Sequence, residues 1–294
     1  MDFLSKFIYP YSVLGLGEKV NELNDEVERN YRTDLLKNVF GLLDLTTLNS
    51  TDTKAKVKEM CLKVNGFKDK FPTFPNVAAI CVYPSLVSTV KSELSVKGIE
   101  IASVSAGFPS SQTYLEVKKL ETKMAIENGA SEIDIVISLG EFLAGNMQLV
   151  FDEIASIKDV VGNKHLKVIL ETGALVDPLK IWEASMISMH AGADFIKTST
   201  GKIQPAATSE ASVVMVEAIK QFNKMTGKMV GFKPAGGISN GHEALIYYTI
   251  VKQFLGEQWL SPTYFRIGAS SLANNLLSEV AFLEHGTSND IVYF

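Results

Sequence analysis

Eight short β-rich runs alternate with longer helical patterns along this chain of 294 residues. Strands that alternate with helices form right-handed βαβ units, and the strands of such units lie parallel in one sheet. Eight units within about 250 residues match the (β/α)8, or TIM, barrel. The sequence therefore predicts an α/β fold of this architecture, with strands within the segments NVFGLLDLT, NVAAICVYP, IEIASVSA, EIDIVIS, HLKVILET, ADFIKTS, MVGFKPA and TYFRIGA.

An open, doubly wound sheet is the structural alternative. It is disfavoured because no G-x-G-x-x-G pattern follows the first strand candidate. Residues 1–36 lie outside the repeat, and EKVNELNDEVERNYRTDLLKNVF predicts a charged amphipathic helix that leads into the first strand. We expect this N-terminal helical extension to pack over one end of the barrel or against a neighbouring subunit. Residues 37–294 then form the barrel domain with a C-terminal tail.

The composition excludes several classes of function. The net charge is -5, whereas a nucleic-acid-binding protein is expected to carry basic clusters. No apolar run approaches the roughly 20 residues that cross a bilayer, and the N-terminal segment lacks the basic start of a signal peptide. Cys61 and Cys81 fit neither a metal site nor a disulfide framework. We therefore expect a soluble cytoplasmic protein without nucleic-acid or membrane partners.

Charged residues are predicted inside the barrel. Because successive strand residues point to opposite faces, the isoleucines of EIDIVIS face the outer helices and Asp134 faces inward. The same parity places Asp44, Lys197 and Lys233 inside, whereas parity alone does not settle the direction of Lys167. A structural ion-pair network is the alternative. It is disfavoured because barrel interiors are usually filled by branched apolar residues, and catalytic residues lie at the C-terminal strand ends.

Lys197 and Lys233 end the sixth and seventh strand candidates, which are neighbours in a barrel. A lysine ordinarily titrates near 10.4 and is not nucleophilic at neutral pH. A like charge about 4 Å away, at an effective dielectric near 20, disfavours the ammonium by roughly 4 kcal/mol, or about 3 pK units. The deprotonated amine attacks a carbonyl to form a Schiff base, and an acidic group on strand four shuttles protons. The pattern predicts an imine-forming lyase.

Glycine-rich turns follow the last three strand candidates. Glycines allow the backbone to approach an anion closely, and a helix N-terminus supplies free N–H groups. Barrel enzymes often bind phosphate in the loops after strands seven and eight. The sequence therefore predicts a phosphorylated small substrate, held by Gly201 and Lys202, by Gly236 and Gly237 with the helix start near Ser239, and by Gly268, Ser270 and Ser271.

From about Phe40 to the end, the chain resembles the deoxyribose-phosphate aldolase family. The motifs that carry the resemblance are LLDLTTLN, AAICVYP, GASEIDIVI, KVILETG, AGADFIKTSTGK, VGFKPAGGI and RIGASSL. The family consists of metal-free class I aldolases with a TIM-barrel fold. The resemblance implies reversible cleavage of 2-deoxy-D-ribose 5-phosphate into D-glyceraldehyde 3-phosphate and acetaldehyde, without a cofactor. It also implies a homodimer or another homo-oligomer.

The resemblance also implies a role for each site residue. Lys197 is the Schiff-base lysine, Lys233 lowers its pKa, and Asp134 is the acid/base residue that works with an ordered water. The phosphate contacts coincide with the glycine-rich turns, Ser239 included. The substrate contacts that it implies are Asp44, Thr46, Cys81, Lys167, Thr198 and Tyr293.

Two departures from the family pattern affect these expectations. Ser239 stands where bacterial members often carry an arginine near the phosphate, which predicts a weaker preference for the phosphate ester. Tyr293 is penultimate, whereas the family often has a C-terminal tyrosine that assists proton transfer.

Three other functions remain as alternatives. A transaldolase-like or other sugar-phosphate aldolase keeps the barrel and the lysine but acts on a different substrate. A scaffold or metabolite sensor keeps the fold alone. A metal-dependent aldolase is disfavoured because the histidines are scattered along the chain, at His165, His190, His242 and His285.

Overall fold

The computed structural model describes residues 9–10, 13–286 and 290–294. Eight strands form one parallel sheet in the centre of the protein, and each strand lies beside the strand that follows it in the chain. The strands are β1 (Leu43–Thr46), β2 (Ala79–Val82), β3 (Glu100–Val104), β4 (Glu132–Val136), β5 (His165–Ile169), β6 (Phe195–Lys197), β7 (Gly231–Lys233) and β8 (Ile267–Ala269).

The sheet closes on itself. β8 pairs with β1 along its length, and two bridges, Phe232 with Phe265 and Ala235 with Gly268, join the segments of β7 and β8. The predicted (β/α)8 barrel is confirmed, and the open-sheet alternative is wrong. Each strand lies within the segment predicted for it, but is shorter, because strand pairing ends before the loops that carry the site.

The helices form the outer layer. Thr208 and Asn240 cap the helices that follow β6 and β7 by accepting backbone N–H groups, as expected of N-cap residues. The helices are α1 (Val13–Asn30), α2 (Thr33–Phe40), α3 (Lys54–Asn65), α4 (Phe67–Lys70), α5 (Val87–Glu93), α6 (Leu115–Glu127), α7 (Leu139–Leu143), α8 (Met147–Val161), α9 (Thr172–Leu175), α10 (Pro178–His190), α11 (Ser209–Thr226), α12 (Gly241–Leu255) and α13 (Leu272–His285).

The N-terminal extension differs from its prediction as one continuous helix. Arg32 adopts an extended conformation, so the chain forms α1 and α2 as separate helices, and the predicted boundary at residue 36 falls inside α2. The buried side chains of α1 include Leu16, Leu23 and Val27, and this helix contacts α11 and α12. α1 therefore packs against two helices of the outer layer. Residues 1–8 and 11–12 of the extension lie outside the described residues.

Candidate active site

The two lysines singled out by sequence meet at one carboxylate. Lys197 and Lys233 are register partners on β6 and β7, and their side chains are almost completely buried. Lys197 Nζ lies 2.8 Å and Lys233 Nζ 2.9 Å from the same oxygen of Asp134, Oδ2. The register of parallel strands thus brings together residues that are 63 and 99 positions from Asp134 in the chain.

Asp44 and Lys167 join this cluster from β1 and β5. Lys233 also forms a close ion pair with Asp44. Lys167 Nζ lies 3.3 Å from Asp134 Oδ1 and 3.9 Å from Asp44 Oδ2, and its side chain is fully buried. Lys167 therefore points into the barrel, which sequence parity had left open.

Two further members were missed by the sequence reasoning. Arg266 donates to Asp44 Oδ1 at 2.7 Å and to Glu132 Oε1 at 3.0 Å, and Lys167 also pairs with Glu132. The signal for Glu132 was present, because it has the same strand parity as Asp134. Arg266 was visible as a cation in the segment TYFRIGA. We refer to Asp44, Glu132, Asp134, Lys167, Lys197, Lys233 and Arg266 as the interior charge network.

The charges of this network come close to balancing. Among the described residues it joins three carboxylates to four basic side chains, so full ionisation leaves one excess positive charge. Net charge in a low-dielectric interior is costly. One deprotonated lysine makes the network neutral.

Of the three lysines in the network, Lys197 alone has a lowered pKa, whereas the pKa values of Lys167 and Lys233 are raised. Burial is the main cause that lowers the pKa of Lys197; Asp134 raises it, and Lys233 lowers it further. The sequence argument expected Lys233 to be the main cause, but the removal of water contributes more. Burial also opposes the charge on Lys233, yet Asp134 and Asp44 outweigh it and raise the pKa of Lys233 above its ordinary value. The two lysines therefore have opposite tendencies.

Asp134 remains ionised. Burial alone would raise the pKa of its carboxyl, but Lys167, Lys197 and Lys233 hold that pKa well below its usual range. At neutral pH, Asp134 is therefore a hydrogen-bond acceptor and a base. It can act as an acid only after it has received a proton during the reaction.

Lys197 borders a cavity of about 300 Å³ at the C-terminal ends of the strands. Thr46 lines it, together with residues from the C-terminal ends of β6, β7 and β8 and from the turns that follow them. This site cavity brings together all the residues predicted to bind phosphate, namely Gly201, Lys202, Gly236, Gly237, Ser239, Gly268, Ser270 and Ser271.

A larger cavity of about 610 Å³ lies between the loops that follow β3 and β4. Ser111, Ser138 and Glu153 are among its lining residues, and all three bind the buried Lys118 Nζ. No member of the interior charge network lines it. The smaller cavity is the candidate active site, because Lys197, the lysine with the lowered pKa, lines it.

The loop after β6 is anchored by a buried carboxylate that the sequence reasoning also missed. Glu171 accepts hydrogen bonds from Thr200 N at 3.1 Å and from Thr200 Oγ1 at 2.6 Å. Thr200 Oγ1 accepts in turn from Lys202 N at 3.0 Å, and Lys202 Nζ reaches across to the Leu48 carbonyl at 2.6 Å. Glu171 adopts a left-handed conformation with φ of 56°, which is unfavourable for a residue other than glycine. The local strain places its carboxylate under the loop.

Ser239 lies beside a negative charge. Its backbone N–H and its hydroxyl donate to Glu243 Oε2 at 2.6 and 3.1 Å. Glu243 belongs to the first turn of α12, where Asn240 caps the helix. A phosphate near Ser239 would therefore compete with a carboxylate for the same backbone donor.

Of the six predicted substrate contacts, only Thr46 lines the site cavity. Asp44 and Lys167 lie within the interior charge network, and the other three lie elsewhere. Cys81 is fully buried in β2, and burial raises the pKa of its thiol to about 11. Thr198 is fully buried, and its hydroxyl accepts from Ala235 N at 3.0 Å, which ties the ends of β6 and β7 together. Tyr293 donates its hydroxyl to the Lys63 carbonyl at 2.7 Å. Their contacts with substrate remain predictions.

The histidines do not gather at this site. His165 contacts Glu132 at the N-terminal end of β5, and His242 contacts Glu28. Within residues 9–10, 13–286 and 290–294, no three His, Cys, Asp or Glu side chains form a set that could hold a metal ion. In the same ranges, no helix has both the length and the apolar character needed to cross a bilayer.

Comparison with known proteins adds independent information. A family model described as DeoC/LacD family aldolase matches residues 39–276. The deoxyribose-phosphate aldolase of Homo sapiens is 40% identical over 282 residues, which cover 92% of this chain and 87% of the human protein. The Mus musculus protein of the same name is 40% identical over 267 residues, which cover 86% of this chain and 83% of the mouse protein.

A solved structure described as QR15, an aldolase, has a TM-score of 0.66 and 27% identity. The match covers 83% of this chain and 98% of that one. A tetrameric deoxyribose phosphate aldolase from Aeropyrum pernix shares the fold, with a TM-score of 0.67, 21% identity and coverage of 94% and 100%.

Proposed function

This chain belongs to the DeoC/LacD aldolase family, and we propose that it cleaves 2-deoxy-D-ribose 5-phosphate reversibly into D-glyceraldehyde 3-phosphate and acetaldehyde through a lysine Schiff base. It is an aldolase, and therefore a carbon–carbon lyase. One observation carries the proposed mechanism: Lys197 and Lys233 share one oxygen of Asp134 while their pKa values shift in opposite directions.

The first step is attack by Lys197 Nζ on the aldehyde carbon of the open-chain sugar. The amine lone pair forms the C–N bond, and the carbonyl oxygen takes up a proton, which we assign to the charged Lys233 because it shares Asp134 Oδ2 with Lys197. Asp134 Oδ2, 2.8 Å from Lys197 Nζ, accepts the proton that the amine loses. Asp134 returns this proton to the new hydroxyl, which leaves as water while the nitrogen lone pair completes the C=N bond. A protonated imine then lies beside the Asp134 carboxylate.

The second step breaks the bond between C2 and C3 of the sugar. A base removes the proton of the C3 hydroxyl, the C3–O bond becomes a carbonyl, and the electrons of the C2–C3 bond flow into the imine to form an enamine. D-glyceraldehyde 3-phosphate leaves. Protonation of the enamine at C2 and hydrolysis of the resulting imine release acetaldehyde and restore Lys197. We assign the proton transfers to Asp134, with an ordered water in the path.

The phosphate is assigned to the glycine-rich turns of the site cavity, with Lys202 as its cation. Because Ser239 replaces an arginine and its N–H is held by Glu243, we propose a weaker preference for the phosphate ester than an arginine would give. Cleavage of 2-deoxy-D-ribose with and without its 5-phosphate measures this preference. A preference as strong after Ser239→Arg as before it would contradict the proposal.

The assignment of the two lysines is tested by comparing Lys197→Leu with Lys233→Leu. Mass spectrometry detects the covalent adduct in each variant. Borohydride reduction in the presence of substrate should give a covalent adduct at Lys197 in the unchanged protein and none in Lys197→Leu. Lys233→Leu keeps the nucleophile but loses the proton donor, so we expect slow adduct formation. An adduct in Lys197→Leu would show that the roles are wrongly assigned.

The alternatives give different products. Released acetaldehyde supports the proposed reaction, whereas transfer of a three-carbon unit to an acceptor aldehyde supports a transaldolase-like activity. A metabolite sensor would give no adduct at Lys197.

We also propose that the protein forms a homodimer or another homo-oligomer. Its proposed location is the cytoplasm. Light scattering of the purified protein measures the oligomeric state, and fractionation of cells measures the location. Cys61 and Cys81 are both buried and unbonded, which suits a reducing compartment.

A further inference from the structure

Arg266 and Glu132 lie on the N-terminal side of the sheet, just before β8 and at the first residue of β4, whereas the site cavity lies at the C-terminal strand ends. Both side chains are buried, and neither lines the site cavity. Arg266 is anchored from outside the network as well, because its Nε donates to the Pro262 carbonyl. Any effect of this pair on the reaction must therefore pass through other side chains.

Two chains of contacts connect the pair to Asp134. Arg266 contacts Asp44, Asp44 contacts Lys233, and Lys233 contacts Asp134 Oδ2. Glu132 contacts Lys167, and Lys167 lies 3.3 Å from Asp134 Oδ1. Both chains end on the carboxylate that also holds the Lys197 amine.

The number of carboxylate contacts distinguishes the basic groups. Lys233 contacts two carboxylates and Lys167 contacts three, whereas Lys197 contacts only Asp134 among the described residues. Arg266 cannot lose its proton at accessible pH. When one basic group of the network is deprotonated, Lys197 is therefore the group whose deprotonation gives up the fewest ion pairs.

We propose that Arg266 and Glu132 are positioning residues that set the charge balance of the barrel interior and so leave Lys197 as its neutral amine. This inference rests on the proposed Schiff-base chemistry. Arg266 contributes the third permanent cation and Glu132 the third carboxylate, and removal of either one changes the charge that Lys197 must balance.

The other titratable groups beside the network are Cys81 and His165. Cys81 lies close to Lys197, and its buried thiol is neutral at neutral pH because its pKa is about 11. His165 Nδ1 lies 3.1 Å from Glu132 Oε1, and its side chain is 41% exposed. The test is repeated in a His165→Gln background, which removes the imidazole beside Glu132 from the comparison.

The experiment compares Arg266→Met, Glu132→Gln and the double variant. The acidic limb of the profile of kcat/KM against pH reports deprotonation of Lys197 in the free enzyme. Arg266→Met makes the interior more negative, so the limb should move to higher pH. Glu132→Gln makes it more positive, so the limb should move to lower pH. A charge on the order of 10 Å away, at an effective dielectric near 20, gives about one pH unit in each case.

The double variant should return the limb to within about 0.3 pH units of the unchanged protein, because the two charge changes cancel. Arg266→Lys keeps the charge and serves as the matched control, with the limb expected in the same narrow range. A purely structural role would lower activity in both single variants without opposite shifts. Equal shifts in one direction, or unmoved limbs, would overturn the inference.

Two further arrangements keep the test decisive. Should Arg266→Met fail to fold, Glu132→Gln alone tests the sign of the shift, and the double variant tests the cancellation. Borohydride trapping of the unchanged protein with acetaldehyde separates this inference from the proposed function. An absent adduct at Lys197 refutes the Schiff-base chemistry, whereas a normal adduct with unmoved pH limbs refutes only the role of Arg266 and Glu132.

Discussion

Thr200→Val tests whether the support beneath the phosphate loop controls substrate affinity. Valine has nearly the shape of threonine, so the change removes a hydroxyl and little volume. Thr200 Oγ1 donates to Glu171 Oε2 at 2.6 Å and accepts from Lys202 N at 3.0 Å. The variant therefore leaves a buried carboxylate oxygen short of a donor and the Lys202 N–H short of an acceptor.

The expected cost follows from these two bonds. A hydrogen bond to a charged group contributes about 1.5–3 kcal/mol, and a neutral one about 1 kcal/mol. We expect Thr200→Val to lose about 2 kcal/mol of unfolding free energy, because part of the loss is recovered by water at this loop. For a chain of 294 residues, that corresponds to a fall in Tm of about 3 °C.

The substrate dependence is the sharper readout. The KM for 2-deoxy-D-ribose 5-phosphate should rise about tenfold, which corresponds to about 1.4 kcal/mol of binding free energy. Unphosphorylated 2-deoxy-D-ribose does not use the loop, so its kcat/KM should change less than about threefold. Steady-state kinetics on both substrates and thermal unfolding provide these measurements.

Two controls isolate the hydroxyl. Thr200→Ser keeps it and should behave like the unchanged protein. Thr249 in α12 is fully buried, and its hydroxyl has no hydrogen-bond partner within the described part of the chain. Thr249→Val should therefore leave stability unchanged or raise it, because no bond is lost. Equal kinetic losses on both substrates for Thr200→Val, or full stability of that variant, would refute the assigned role of Glu171 and Thr200.

Three further variants test other parts of the site. Gly237 and Gly227 have similar positive φ values, +81° and +71°, and open space where a Cβ would lie. Alanine at either position should cost about 1 kcal/mol of stability, but only Gly237→Ala should raise the KM for the 5-phosphate, by about tenfold. Glu243→Gln removes a negative charge beside Ser239 and should lower that KM by about twofold, at a small cost in stability from the helix cap; an unchanged KM would place the phosphate away from Ser239. Tyr293→Phe should lose about 1 kcal/mol with kcat unchanged, because the hydroxyl bonds to Lys63; a tenfold fall in kcat would show that the tail moves to the site, as the resemblance implies.

The sequence predicted the parts of the site that depend on strand periodicity. Asp134, Lys197 and Lys233 were placed inside the barrel by parity, and parallel register then fixed their proximity. Glu132 and Arg266 obey the same periodicity, but they lie near the N-terminal side of the strands, where a catalytic role is not expected. Their importance lies in charge balance, which requires the contacts of all the members at once.

Other features depend on tertiary contacts that sequence does not encode locally. EKVNELNDEVERNYRTDLLKNVF has a helical pattern throughout, yet it is interrupted where Tyr31 donates to Glu279 at 2.6 Å and the chain turns at Arg32. Glu171 gave no signal either. A glutamate after a strand is ordinary in sequence, and its role appears only when Thr200, 29 residues later, folds onto it.

Apolar packing within the barrel interior contributes to the burial that lowers the pKa of Lys197. Phe195 precedes Lys197 by one inward-facing position on β6, and its register partner on β7 is Gly231. A Cβ on Gly231 would lie only 2.3 Å from the Phe195 ring, so the glycine makes the space that the ring fills. The ring centroid also lies 5.8 Å from Nζ of Lys167, which is the register partner of Phe195 on β5. Burial is the largest cause that lowers the pKa of Lys197, ahead of the neighbouring Lys233, and the ring packed against Gly231 belongs to the interior that excludes water. The residues that make the barrel interior solid and the residues that make the lysine nucleophilic therefore act on the same free-energy difference, between an ammonium in water and an amine in a dry interior.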